Sequence, residues 1–206
     1  MTGFEKFSGK FLNFFEDVSI LCMKNKKHMK TIAYFHGYNS SGSTGRRLQK
    51  MLEGKYNVLA PSLSKNADEA IELAQKLVDE NDVALIIGSS LGGFVSLNVR
   101  APYKVIINPT LEPSTTLPLI DCPQEIASSY EKYEKRFRTL IDDKEREHTF
   151  GFFGLKDNLV HYQQEFEQLF GQDHVSVIPD GEHKVSETDL RDFVIPMIDK
   201  ILSTKG

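Results

Sequence analysis

The feature that most restricts the fold of this chain is a rhythm. From Thr31 onward, short apolar runs alternate with longer stretches whose apolar residues recur at helical spacing, the pattern of strands joined by helical crossovers. Six runs read as strands: Thr31 to His36, Tyr56 to Ala60, Asp82 to Gly88, Tyr103 to Asn108, His148 to Phe153 and His174 to Pro179. Their interiors are mostly apolar rather than alternating, as in strands covered on both faces. Between them, Leu48, Met51 and Leu52, then Ala70, Ile71, Ala74, Leu77 and Val78, then Leu159, Tyr162, Phe166 and Phe170, and finally Leu190, Phe193, Ile195, Ile198 and Ile201 mark helices with one apolar face. Right-handed crossovers distribute such helices over both sides of a sheet. The fold class that follows is α/β, three-layered and compact, around a mostly parallel six-stranded sheet.

Two segments break the rhythm. In residues 1–29, Phe4, Phe7, Phe11, Phe14 or Phe15, and Val18 recur at helical spacing ahead of Lys24, Lys26 and Lys27. This N-terminal extension reads as an unordered stretch, as a helix docking on its own domain, or as translated sequence upstream of a start at Met29. Its acids count against a membrane-surface helix, whose polar face is normally strongly basic. Residues 109–146 form a connection far longer than a crossover requires. Ile126, Tyr130, Tyr133, Phe137, Leu140 and Ile141 share one helical face there. The segment is either an ordinary crossover helix or a small cap, with Leu111, Leu117, Leu119 and Ile120 lining a pocket. The remainder, 30–206, reads as one domain.

Composition excludes several classes. At 206 residues the chain can bury a core without disulfides or structural metal. Its two cysteines, Cys22 and Cys122, are too far apart in sequence for a cysteine-rich framework and read as reduced cytoplasmic thiols. With 25 Lys and Arg against 29 Asp and Glu, the net charge is −4, and no long basic block exists to neutralise phosphates. This argues against nucleic acid as a partner. No apolar run approaches the ~20 residues of a membrane span, and Glu5, Lys6, Lys10, Glu16 and Asp17 interrupt any secretory signal. A cytoplasmic location follows as an expectation.

Chemistry concentrates in Ile86 to Phe94, where an apolar strand runs into Gly-Ser-Ser-Leu-Gly-Gly and then a helical pattern. This is G-x-S-x-G in its strand–turn–helix setting. A serine at so sharp a turn needs small residues two positions before and after it. Counted from Ser90, those positions are Gly88 and Gly92; counted from Ser89, they are Ile87 and Leu91. Ser90 is therefore the candidate nucleophile. A phosphate cradle is the competing reading, but neither G-x-G-x-x-G nor the P-loop lysine is present.

A serine hydroxyl needs a base, and the base needs an orienting acid. Asp157 follows the strand ending near Phe153, and His183 follows the strand ending near Pro179, so both lie beyond carboxyl ends of strands, like Ser90. Of the six histidines, His28 falls in the extension, His36 precedes the nucleophile, His148 and His174 begin strands at the opposite edge, and His161 sits in a helix. Asp180 is a minor alternative to Asp157. Oxyanion donors are expected from the backbone N–H of Leu91 and of Tyr38, in the glycine-containing loop after the first strand. No metal-ligand spacing and no cofactor motif occurs.

Tyr34 to Ser41, Gly88 to Phe94, Asn108-Pro109, Asp157 to Tyr162 and Gly181-Glu182-His183 together resemble the α/β-hydrolases, and within them the small bacterial YqiA/YcfP-like esterases. The resemblance spans most of Lys30 to Ile201. It implies a compact α/β-hydrolase fold without the antiparallel strands of larger relatives, a Ser90, Asp157 and His183 triad, and hydrolysis of acyl esters or thioesters of short to medium chain length. Asn158 stands where relatives often carry a second acid, and residues 1–29 have no counterpart. The expected function is cleavage of small-molecule carboxylic esters through an acyl-enzyme. The alternatives are an acyl-thioesterase or peptidase, and a non-catalytic module that binds acyl ligands.

Overall fold

The structure, a computed structural model, describes residues 29–203, so the readings of the N-terminal extension lie outside the described residues. Six strands form one sheet: β1 (Thr31–Phe35), β2 (Asn57–Leu59), β3 (Val83–Ser89), β4 (Lys104–Ile107), β5 (Thr149–Gly154) and β6 (Val175–Ile178). Their order is β2-β1-β3-β4-β5-β6, and every pairing is parallel. β1, β2, β4 and β6 stop one residue short of the carboxyl ends of their apolar runs, whereas β3 and β5 run one residue further.

Alternate residues of each strand feed opposite faces. Ile32, Tyr34, Leu85, Ile87, Val105, Ile107 and Phe152 face a core closed by α1 (Ser43–Met51) and the C-terminal helices. Ala33, Phe35 and Ile86 face α2 (Ala67–Glu80) and part of α3 (Leu91–Leu97). Ile106 and Phe153 face the rest of α3 together with the segment after β4. Helices thus cover both faces of the sheet, and each fully buried Ile, Leu or Phe contributes about 1.5–3 kcal/mol. The C-terminal helices are α9 (Glu187–Asp189) and α10 (Ile195–Ser203), joined by a π-helical stretch, Leu190–Val194. Pro196 explains the widened turn, since it has no N–H to give the carbonyl four residues back.

The 109–146 segment is not one long helix. It comprises α4 (Pro113–Thr116), a 3-10 turn (Leu117–Ile120), α5 (Gln124–Ser128), α6 (Glu131–Leu140) and α7 (Asp143–His148). Leu111, Leu117, Tyr130 and Phe137 are buried against Leu91 and Phe94, and the Phe94 ring meets Tyr130 and Phe137 edge-on. Leu119 is 76% exposed, because the short 3-10 turn points it outward while Leu117 takes the inner face.

α8 (Gln163–Phe170) also starts later than its apolar stripe suggests. Asp157 Oδ1 accepts the N–H groups of Leu159 and Val160, which holds that stretch in a turn. His161 consequently lies in a loop, not in a helix. His148 ends α7 and His174 ends a 3-10 turn, each one residue ahead of its strand, at the amino edge of the sheet.

Candidate active site

The chain leaves β1 toward β2 on one side and returns to build β3 and its successors on the other, so the sheet order reverses between β1 and β3. Open α/β sheets bind ligands at such a switch point, beyond the carboxyl ends of the two strands. Here those ends carry the loop beginning at His36 and the turn at Ser90.

Ser90 has φ 53° and ψ −121°, a strained conformation for a residue with a side chain. Its surroundings impose that turn. A Cβ on Gly92 would stand 2.1 Å from the Phe35 carbonyl oxygen, and one on Gly88 would stand 2.3 Å from Ser96 Oγ and 2.5 Å from the Gly92 carbonyl oxygen. The turn is further fixed by Ser90 N–H donating to the Ile107 carbonyl (3.0 Å), and by Gly93 and Phe94 N–H donating to the Ser90 carbonyl. Ser89 points elsewhere: its Oγ lies 2.9 Å from the hydroxyl of buried Tyr34.

Ser90 Oγ lies 3.0 Å from His183 Nε2, and His183 Nδ1 lies 2.8 Å from Asp157 Oδ2. A carboxylate can only accept, so Nδ1 of the neutral ring carries the proton and Nε2 meets the hydroxyl as an acceptor. Asp157 is buried, at 6% exposed. Burial pushes its carboxyl up, but bonds from His183, Leu159 N–H and Val160 N–H outweigh this and leave it below the ordinary carboxylate value. Asp180 is turned away, its exposed carboxylate 2.6 Å from Lys156 Nζ. The acid and histidine loops pack backbone to backbone. Lys156 N–H donates to the Gly181 carbonyl (2.8 Å), and a Cβ on Gly154 would stand 2.3 Å from that same oxygen.

The loop after β1 closes the other side. A Cβ on Gly37 would stand 3.1 Å from Ser90 Cβ and 3.4 Å from its Oγ, so this backbone lies directly against the hydroxyl. Tyr38 and Leu91 line one cavity of about 20 Å³ beside Gly37. Leu91 opens α3, where N–H groups have no intrahelical partner. The Tyr38 ring is held from outside by Lys65 Nζ, 5.2 Å from its centroid.

Two residues of this region make bonds that the sequence reading did not assign to them. His36 is set aside there by chain order, yet the Leu63 N–H donates to its Nε2 (3.2 Å), so its Nδ1–H donates to the Gly37 carbonyl (2.8 Å). That neutral ring ties the loop against Ser90 to the chain after β2. Asn108 joins the acid and histidine loops; an Asn ahead of a Pro at the end of an apolar run is the one local signal it gives. Among the described residues, no group of three His, Cys, Asp or Glu side chains is placed to hold a metal ion, and no helix is long and apolar enough to cross a membrane.

Comparison with known proteins agrees with this architecture. Residues 31–199 match the family described as Uncharacterised protein family (UPF0227). No curated protein matches the sequence. Among solved structures, an epoxide hydrolase of the α/β-hydrolase superfamily from metagenomes of hot environments superposes with a TM-score of 0.56 at 12% identity, covering 85% of this chain and 91% of that one. YbtT, the type II thioesterase of the yersiniabactin biosynthetic pathway, gives 0.53 at 14% identity, covering 84% and 92%. The Bacillus megaterium epoxide hydrolase gives 0.54 at 10% identity, covering 85% and 94%. At such identities the likeness establishes the fold, which is that of the α/β-hydrolases.

Proposed function

We propose, from the premise that the chain belongs to the UPF0227 family of YqiA/YcfP-like α/β-hydrolase-fold proteins, that it is a serine hydrolase cleaving small-molecule carboxylic esters. The observation that carries this reading is the continuous chain from Ser90 Oγ through His183 to Asp157, with links of 3.0 and 2.8 Å.

In this mechanism His183 Nε2 takes the Ser90 proton as Oγ attacks the ester carbonyl, and Asp157 stabilises the imidazolium that forms. The carbonyl oxygen becomes an oxyanion, bound by the N–H groups of Leu91 and Tyr38. Collapse breaks the bond to the alcohol oxygen, which leaves with the proton from Nε2. Water then gives a proton to Nε2 and attacks the acyl-serine; the acyl–Oγ bond breaks, the acid leaves, and Nε2 returns the proton to Ser90 Oγ. The strained backbone at Ser90 presents Oγ to His183 Nε2, 3.0 Å away.

A thioester is a second substrate class for the same machinery, favoured by the fold shared with YbtT, a thioesterase. A fluorophosphonate probe tests the central claim. The expected result is a covalent adduct on Ser90 that Ser90→Ala abolishes, with ester turnover falling by about 10⁴–10⁶-fold in that variant. Absence of labelling and of turnover with esters, thioesters and amides, alongside retained binding of acyl ligands, would establish a binding module instead.

A further inference from the structure

Asn108 stands just past β4, is 2% exposed, and performs no step of the reaction proposed above. Its amide nevertheless meets both loops that carry the His183–Asp157 pair. Nδ2 donates to the carbonyls of Glu182 (2.8 Å) and His183 (3.1 Å), while Oδ1 accepts from Gly154 N–H (2.8 Å). The main-chain N–H donates to the Phe152 carbonyl (2.9 Å). With φ 42°, the residue adopts a left-handed conformation that Asn tolerates better than most residues.

This bonding pattern selects the residue type. One neighbour presents a donor and the other two present acceptors, so the side chain must offer both kinds of atom on a short stem. Aspartate would face two carbonyls with an anion, and leucine would leave three partly buried backbone groups without their partner. The two loops also touch through their own backbones, but those bonds, Lys156 N–H to Gly181 and Leu155 N–H to Ile178, stop at Gly181. The carbonyls of Glu182 and His183 are held by Asn108.

We propose that Asn108 is a positioning residue that sets the His183 ring between Asp157 and Ser90. The proposal rests on the serine-hydrolase reading, and its test separates the two. A displacement of the ring by about 1 Å is worth roughly 10²-fold in rate. N108D is therefore expected to lower kcat by about 10²-fold with KM within about threefold, and to slow fluorophosphonate labelling of Ser90 similarly.

The second readout needs no substrate. The downfield proton resonance of His183 Nδ1–H, assigned by its loss in H183A, should shift or broaden in folded N108D. N108S, which removes the donors without adding charge, serves if N108D does not fold. The proposal is overturned if a folded variant labels at the wild-type rate with the resonance unmoved. It is also overturned if neither variant folds, since Asn108 is then a requirement of the fold alone. Failure of the wild type to label would sink the hydrolase reading, whatever the resonance does.

Discussion

Strands β4 and β5 bury polar side chains at both ends, and the two ends differ in how completely those side chains are satisfied. At the carboxyl rim, Asp157 receives three donors and Asn108 uses both its donors and its acceptor. The charged form of the carboxyl is favoured there despite burial. At the amino rim, Lys104 on β4 is equally enclosed, at 2% exposed, and pairs with Glu145 of α7. Burial pulls its ammonium below the ordinary lysine value, and Glu145 and Asp142 only partly offset that. Its register partner on β5, Thr149, has a buried hydroxyl without a partner, as does Nδ1 of the adjacent His148. Both rims shift a pKa downward, but one favours its charge and the other disfavours it. Burial alone therefore does not distinguish the two ends of the sheet; saturation of the buried charge does.

The largest effect should come from the saturated end. Replacing Asp157 by Asn puts a donor against His183 Nδ1 and favours the tautomer that cannot accept the Ser90 proton, so kcat on an ester should fall by about 10⁴-fold. A loss below tenfold would show that the carboxylate does not govern the ring.

A smaller effect, and on a different quantity, belongs to the other end. E145Q leaves a buried lysine without its anion and should cost about 3–5 kcal/mol in denaturant unfolding. Labelling of Ser90 per folded molecule should stay as in the wild type. The apolar pair K104M/E145L should recover most of the loss, because removing both charges also removes the cost of burying them. If E145Q instead slowed labelling, the two ends would be coupled through the strands.

The smallest change is in acid stability. The Asp157 carboxyl titrates below its ordinary value of 3.8 in the folded protein. Between those two values the unfolded chain binds more protons, so this contribution is complete above the ordinary value and disappears as pH falls through the folded one. Urea unfolding followed downward from pH 6 should show this acid-side slope, and D157N should flatten it.

How much of this was legible in the sequence follows from the kind of constraint involved. Parallel strands covered on both faces must be apolar almost throughout, so β1, β3 and β4 stand out as runs. The turn at Ser90 leaves no room for side chains at Gly88 and Gly92, and that steric demand is written locally, two positions either side. Asp157 and His183 are legible as candidates through the edge of the sheet they share with Ser90. Contacts that bind distant segments left no such trace. The outward turn of Leu119, the bond from Leu63 to His36, and the three bonds of Asn108 depend on where separate loops meet in space. The break between α5 and α6 was hidden because Ile126, Tyr130 and Phe137 still reach one core across it.

The contact between Gly154 and Gly181 leaves no room for any side chain at Gly154, where a Cβ would meet the facing carbonyl oxygen. The acid and histidine loops consequently meet main chain to main chain, so that a shift in the path of either one presses directly on the other.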